Sequence, residues 1–352
     1  MKLNKSYTKH IFLLCIAAIF FLIAGCAENA NENNLHEITE VYQTSPDANK
    51  NVDSPAFWHN GEENITIVTA KSSHQLLVYN AIDGSFIREI GKKGTGPLEF
   101  SRPNGITVMD NFVFVVERDN KRIQVLDLPG MKFIGFVTDS MLIKPYGISV
   151  IRSGKGGYTL FVTDNYEVND SVPPDSLLGR RIHKYTVQIE NDSLTFIPVK
   201  TFGAVNGEGV LRIVESIYAD TVTNSLLIAE EDTDNSVVKV YDLDGNYKNI
   251  SFGKGIFKFQ VEGIALYEKD PENGFWIVTD QDRGSNRFQI FDRNTFKYIT
   301  GFYSGKTQNT DGICLTQHPF GKFNEGAFFA INDDRSLSAF DLSEIIRLSD
   351  SK

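Results

Sequence analysis

One pattern returns six times along this chain. A small residue stands before a β-branched or aromatic one at Pro55-Ala56-Phe57, Gly105-Ile106, Gly147-Ile148, Ser216-Ile217, Gly263-Ile264 and Gly312-Ile313. Counted from Pro55, Gly105, Gly147, Ser216, Gly263 and Gly312, the intervals are 50, 42, 69, 47 and 49 residues. Ten to twenty residues after each opening comes an apolar run that breaks into polar residues, ending at Lys71, Arg118, Asn165, Glu231, Gln281 and Asp333. A third series closes on Tyr79-Asn80, Leu126-Asp127, Tyr185-Thr186, Tyr241-Asp242, Phe291-Asp292 and Phe340-Asp341. Between these marks lie short alternating runs of Val, Ile, Phe and Tyr, with turn dipeptides such as Asp83-Gly84 and Asp244-Gly245, which is the pattern of antiparallel strands. A four-stranded unit of this length cannot bury both of its faces alone and is satisfied by stacking in a ring. The sequence predicts an all-β fold, a six-bladed β-propeller over residues 35–352.

The sixth unit is short of one strand, because only about ten residues follow Phe340 and they read as helical or frayed. The run His36 to Tyr42 alternates like a strand ahead of the first unit. It is expected to pair with the last blade, close the ring and remove both exposed sheet edges. The longest interval holds an insertion centred on Tyr166–Arg181 with Pro173-Pro174, expected as a loop over one face.

Ahead of the repeats, Lys2, Lys5 and Lys9 precede an apolar run from Ile11 to Ala24 that ends in Leu22-Ile23-Ala24-Gly25-Cys26. This reads as a signal peptide over residues 1–25. The closing residues resemble a bacterial lipobox, which implies lipidation of Cys26, a polar tether over residues 26–34 and a domain held on a membrane of the cell envelope. The remaining cysteines, Cys15 and Cys314, allow no disulfide framework in the domain, and no C-x-x-C pair is present. A net charge of −10, more negative once the signal lysines are removed, argues against nucleic acid as a partner. The expected molecule is a monomer.

In a propeller the first strand of each blade lines the channel, so equivalent positions form rings. The residues before the openings are Ser54 with Asp53 beside it, Asn104, Tyr146, Glu215, Glu262 and Asp311. Carboxylates facing one another across a channel raise each other's pKa or demand a cation, and hard oxygen ligands suit calcium. The ring at the ends of the second strands is divided by sign. Lys71 and Arg118 form a cationic sector suited to phosphate, while Glu231, Gln281 and Asp333 suit metal. No H-E-x-x-H spacing and no G-x-S-x-G elbow occurs, and Gly91–Gly96 has no helix after it to make a phosphate loop.

At these positions the sequence resembles the β-propeller phytases, calcium-dependent enzymes that hydrolyse phosphate monoesters of myo-inositol hexakisphosphate. The likeness is carried by Asp53-Ser54-Pro55-Ala56-Phe57-Trp58, Thr69-Ala70-Lys71, Pro145-Tyr146-Gly147, Ile228-Ala229-Glu230-Glu231-Asp232, Glu262-Gly263-Ile264 and Thr310-Asp311-Gly312-Ile313. It implies that Lys71 and Arg118, with Tyr146, hold the substrate phosphate, that Asp53, Tyr146, Glu215, Glu262 and Asp311 ligate Ca2+, and that Glu231 and Gln281 complete a catalytic site. The chain departs from the family's pattern at Ser54 and Gln260, where carboxylates are usual, and at Asn165, where a lysine is usual. A second resemblance, to NHL repeats, runs through Gly96-Pro97-Leu98-Glu99-Phe100, Arg102-Pro103-Asn104-Gly105-Ile106 and Arg122-Ile123-Gln124-Val125 and implies a binding module without catalysis.

Overall fold

The computed structural model describes residues 35–232 and 235–350, so the signal segment, Cys26 and the tether lie outside the described residues. Six antiparallel sheets follow one another along the chain. Blade one comprises Val52–His59, Asn64–Ala70, Gln75–Asn80 and Phe86–Ile90, and blade two Pro103–Met109, Phe112–Glu117, Arg122–Asp127 and Phe133–Thr138. Blade three is Pro145–Arg152, Gly157–Asp164, Ile182–Glu190 and Ser193–Phe202, and blade four Ile217–Asp220, Ser225–Glu230, Val237–Tyr241 and Tyr247–Phe252. Blade five is built from Gln260–Glu268, Gly274–Gln281, Arg287–Asp292 and Tyr298–Tyr303, and blade six from Ile313–Thr316, Ala327–Asn332 and Ser336–Asp341. The first strand of each blade packs against the first strands of its two neighbours, and the last blade against the first, which closes the ring.

The core is divided by the gaps between blades. Six apolar clusters each join residues of two adjacent blades, from Val78 and Val115 between blades one and two round to Val68 and Phe329 between six and one. The middle strands are therefore buried on both faces. That is why Ser225–Glu230 and Gly157–Asp164 are buried at every residue, with consecutive apolar residues at 226–229 and 160–162. The third repeated mark has a local cause. Asp242 Oδ1 accepts the backbone N–H groups of Asp244 and Asn246, Asp292 Oδ1 those of Asn294 and Thr295, and Asn80 Oδ1 that of Ile82, so the acid or amide shapes the hairpin that follows.

The glycine openings mark where blade touches blade at the axis. A Cβ on Gly147 would stand 1.9 Å from the Glu215 carbonyl oxygen, and one on Gly312 would stand 2.6 Å from that of Asp53. The N–H of Gly312 donates to that Asp53 carbonyl at 2.9 Å.

The N-terminal run closes the ring in two steps rather than as one strand. Leu35–Glu37 adds to blade five, parallel to Tyr298–Tyr303, and Tyr42–Gln43 adds to blade six, antiparallel to Ser336–Asp341. Between them Ile38 is buried in the cluster shared by those blades, its N–H bonded to Tyr303 O at 3.0 Å, and Val41 N bonds Ala339 O at 2.8 Å. The run spans two blades because its one buried apolar side chain fills the gap between them. The helix Leu342–Asp350 then packs Leu342 and Ile345 into the same cluster. The long third interval has two sources, the insertion after Asp164 and the extended outer strands of blade three.

Deleting residues 35–45 removes Ile38, worth about 1.5–3 kcal/mol of burial, together with the bond from Leu337 N to Thr44 Oγ1. A loss of several kcal/mol lowers the thermal midpoint by on the order of 10 °C, measurable by circular dichroism. An unchanged midpoint would mean that the ring does not depend on this closure.

Candidate functional site at the channel mouth

The inner strands enclose an axial channel of about 680 Å³, walled by residues such as Ile106, Ile148, Ile217, Ile264 and Ile313. At the end where these strands begin stand the polar residues that precede the openings. Each second strand ends beside them through one repeated backbone bond. Lys71 N donates to Asn51 O, Arg118 N to Arg102 O, Asn165 N to Lys144 O and Glu231 N to Ile213 O, while Gln281 pairs with Gln260 in the ladder. With Asp53 rather than Ser54 as the axial residue of blade one, as its strand register requires, the acceptor or partner lies two residues before the axial position in all five blades, so both rings share one height. Blade six departs, since Asp333 N bonds Gln308 O, three residues before Asp311.

In every blade but the first, where it is Ala70, the residue before the second-ring position has a separate task. Asp164 accepts the N–H groups of Ile143 and Lys144, Glu230 those of Arg212 and Ile213, and Asp280 those of Lys258 and Phe259. Glu117 likewise accepts from Ser101 N, and Asn332 from Gln308 N. These side chains fasten the loop that enters the inner strand, so Glu230 and Asp280 belong to the scaffold. Their type is forced by the unpaired amides they satisfy.

At the axis five carboxylates, Asp53, Glu215, Glu231, Glu262 and Asp311, meet one ammonium. Oxygens of Glu215, Glu231 and Glu262 lie within 4.8 Å of one another. Lys71 Nζ lies 2.7 Å from Asp53 Oδ1 and 3.1 Å from Asp311 Oδ2. The Tyr146 hydroxyl donates to Asp53 Oδ1 at 3.2 Å, Ser54 Oγ donates to Asp53 Oδ2 at 3.0 Å, and Gln281 Nε2 donates to Asp311 Oδ1. Gln260 Nε2 bonds Glu231 Oε2 at 3.2 Å, and Asn165 Nδ2 reaches Glu215 Oε1 at 3.5 Å. The departures from the phytase pattern, Ser54, Gln260 and Asn165, thus all hold axial carboxylates.

Burial, and then Asp53, lifts Glu215 to about 7. Burial followed by the other carboxylates pushes Glu231 and Glu262 well above the usual range, and burial with Asp53 does the same to Asp311 against the pull of Lys71. Desolvation opposes the Lys71 ammonium, yet Asp53 and Asp311 outweigh it and hold the charge. Burial and the surrounding carboxylates keep Tyr146 a neutral phenol that can donate.

Of the residues expected from sequence, Lys71, Asp53, Tyr146, Glu215, Glu231, Glu262, Gln281 and Asp311 meet here. Arg118 does not join them. Its Nε binds Asp119 Oδ1 at 2.9 Å, and among the described residues no hydrogen bond or ion pair links it to Lys71 or to the axial carboxylates. Asp333 is taken by Arg335 Nε at 3.3 Å. The paired cationic sector is therefore one buried lysine held by two acids, with the arginine turned to its neighbour. Asn104 was identifiable only as a ring position, yet it is fully buried, and both its amide atoms lack a partner. Glu231 Oε1 is likewise buried and unpartnered. The orphaned Glu231 oxygen beside crowded carboxylates fits a hard divalent cation.

Residues 58–224 match the family model DUF5128, described as a 6-bladed beta-propeller. The chain is a six-bladed β-propeller. No curated protein matches it in sequence. Among solved structures, hydrazine synthase of Kuenenia stuttgartiensis is 12% identical, with 87% of this chain and 81% of that chain covered and a TM-score of 0.52. A chain of the nidogen/laminin complex is 15% identical over 77% of this chain and 88% of that one, with a TM-score of 0.49. At such identities the likeness concerns the fold alone.

The raised carboxyls fix a pH dependence. They bind protons more tightly folded than unfolded, so their contribution is intact at acidic pH and is lost as pH rises through about 7, where Glu215 must ionise against its neighbours. In chelator the thermal midpoint should fall between pH 5 and pH 8, and saturating calcium should remove most of the decline. A midpoint that climbs over that range in chelator would show that the axial acids do not repel one another.

Proposed function

We propose that the channel mouth is a calcium site and that the protein uses it as a phosphomonoester hydrolase of the phytase type, acting on inositol phosphates or related phosphate esters. The observation that carries this reading is the convergence of Glu215, Glu231 and Glu262, with the unpartnered Glu231 Oε1 among them. Asp53 and Asp311 stand on the same ring. These five acids, with Tyr146 and the Asn104 amide oxygen, would hold the metal. Bound calcium would supply charge neutralisation at phosphate oxygens and a more acidic bound water.

The chain's own residues supply the rest. Lys71 is the one ammonium on the ring, and its three donors turn from Asp53 and Asp311 to a phosphate oxygen when other positive charge satisfies those acids. Glu215, lifted to about 7 by burial and Asp53 when no cation is present, gives up its proton as the metal binds and then serves as a charged ligand. Gln281 and Tyr146 fix the rotamers of Asp311 and Asp53. Metal charge also resolves how a chain of net charge −10 holds a polyanion.

The removal of residues 1–25, lipidation of Cys26 and retention at a membrane of the cell envelope are part of the same proposal. Those positions lie outside the described residues. No helix among the described residues is long and apolar enough to cross a membrane.

A second reading, a propeller that binds its ligand without turnover, is favoured by one observation: Arg118 is committed to Asp119 and leaves Lys71 alone as a phosphate contact. Phosphate release from inositol phosphates and simple esters with millimolar calcium separates the two. On the enzymatic reading turnover requires calcium, and Lys71→Met lowers it about 100-fold or more while calcium still raises the variant's thermal midpoint, which shows that the ring is folded. Calcium stabilisation with no phosphate release would select the binding module.

A further inference from the structure

We propose that blades one and two carry a separate oxyanion subsite, built from Ser73, His74, Lys93 and Arg102, that takes a tetrahedral dianion of the phosphate or sulfate type without metal. It stands on its own geometry and does not require the protein to be a hydrolase.

The sector reverses the sign of the molecule. In a chain of net charge −10, the turn after Lys71 and the loop between blades one and two carry His74, Lys92, Lys93 and Arg102; Arg102 bonds His74 and accepts the Arg118 N–H on its carbonyl, and Lys93 acts on the His74 ring. Lys92 is paired with Glu99 at 3.3 Å and Arg118 with Asp119 at 2.9 Å. Lys93 has no acid partner among the described residues, and Asp119 is already shared.

The donors lack acceptors. Arg102 Nε and Ser73 Oγ are buried and unpartnered. The Arg102 N–H donates to His74 Nδ1 at 3.0 Å, which fixes the neutral ring with its proton on Nε2 as a further donor. That bond also ties the turn that carries Ser73 and His74 to the loop that carries Arg102. Burial, then Lys93, and also Arg102 press the His74 pKa down, while Asp119 opposes them, so the cations act on the ring from close by. A guanidinium, an ammonium, an imidazole N–H and a hydroxyl with no acceptor match the oxygens of a dianion better than a neutral ligand or a cation. In chelator the channel's axial cluster is acidic and its one ammonium is held by Asp53 and Asp311, so phosphate bound under that condition reports on this subsite.

The test is calorimetric titration of the full domain with inorganic phosphate and, separately, sulfate, in chelator, with the His74 imidazole followed by NMR. Saturable binding that shifts the His74 resonances is expected. Lys93→Gln and Arg102→Asn should each weaken it tenfold or more, with thermal midpoint and calcium binding unchanged. Asparagine is chosen because Arg102 has φ +54°, which that residue tolerates. Should Arg102→Asn misfold, exposed Lys93→Gln carries the test alone. Vesicles of phosphatidic acid distinguish a lipid headgroup from a free ester. Binding to vesicles with none to free phosphate, no saturable binding at all, or unchanged affinity in the variants that fold would overturn the subsite.

Discussion

Around the axis the backbone of each blade lies against the backbone of the next, and that closeness governs both the repeat and the site. It permits no side chain at Gly147 or Gly312, where a Cβ would meet a neighbouring carbonyl. It also forces whatever precedes the small residue that opens each blade toward a common point. Placed there, Glu215 and Glu262, with Glu231 from the adjoining ring, have oxygens within 4.8 Å. Negative charges brought that close and buried either keep their protons or share a cation. The high pKa values and the unpartnered oxygen of Glu231 are two consequences of this one constraint.

Most of the architecture was legible because the repeat is a physical necessity at each of its marks. Small residues occur where blades touch, apolar runs where strands are covered on both sides, and an acid or amide where a hairpin turn needs an acceptor. The ring closure was legible in outline only. Residues 36–42 alternate like a single strand, but the placement of Ile38 in the gap between blades five and six divides the run between two sheets. Sequence alternation shows which side chains are buried without showing how many sheets supply the burial.

The site was legible to a different degree. Positions on the two rings follow from counting, and Lys71, Tyr146, Glu215, Glu262, Asp311 and Gln281 converge as counting predicts. Side-chain direction does not follow from counting. Arg118 occupies the ring position of Lys71, yet Asp119 is its next neighbour in sequence and takes its charge. Glu230 and Asp280, adjacent to ring residues, serve instead as acceptors for loop amides. Asn104 stands on the ring by counting, but an amide gives no charge signal that marks it as functional. Only its buried, unpartnered side chain singles it out.

The central claim is that the axial acids hold protons which a divalent cation displaces. Calorimetric titration with calcium near pH 7, repeated in buffers of different ionisation enthalpy, measures that exchange directly. The account predicts calcium binding accompanied by net proton release, diminished in Glu215→Gln. Binding whose heat is the same in every buffer, or no binding at all, would contradict it.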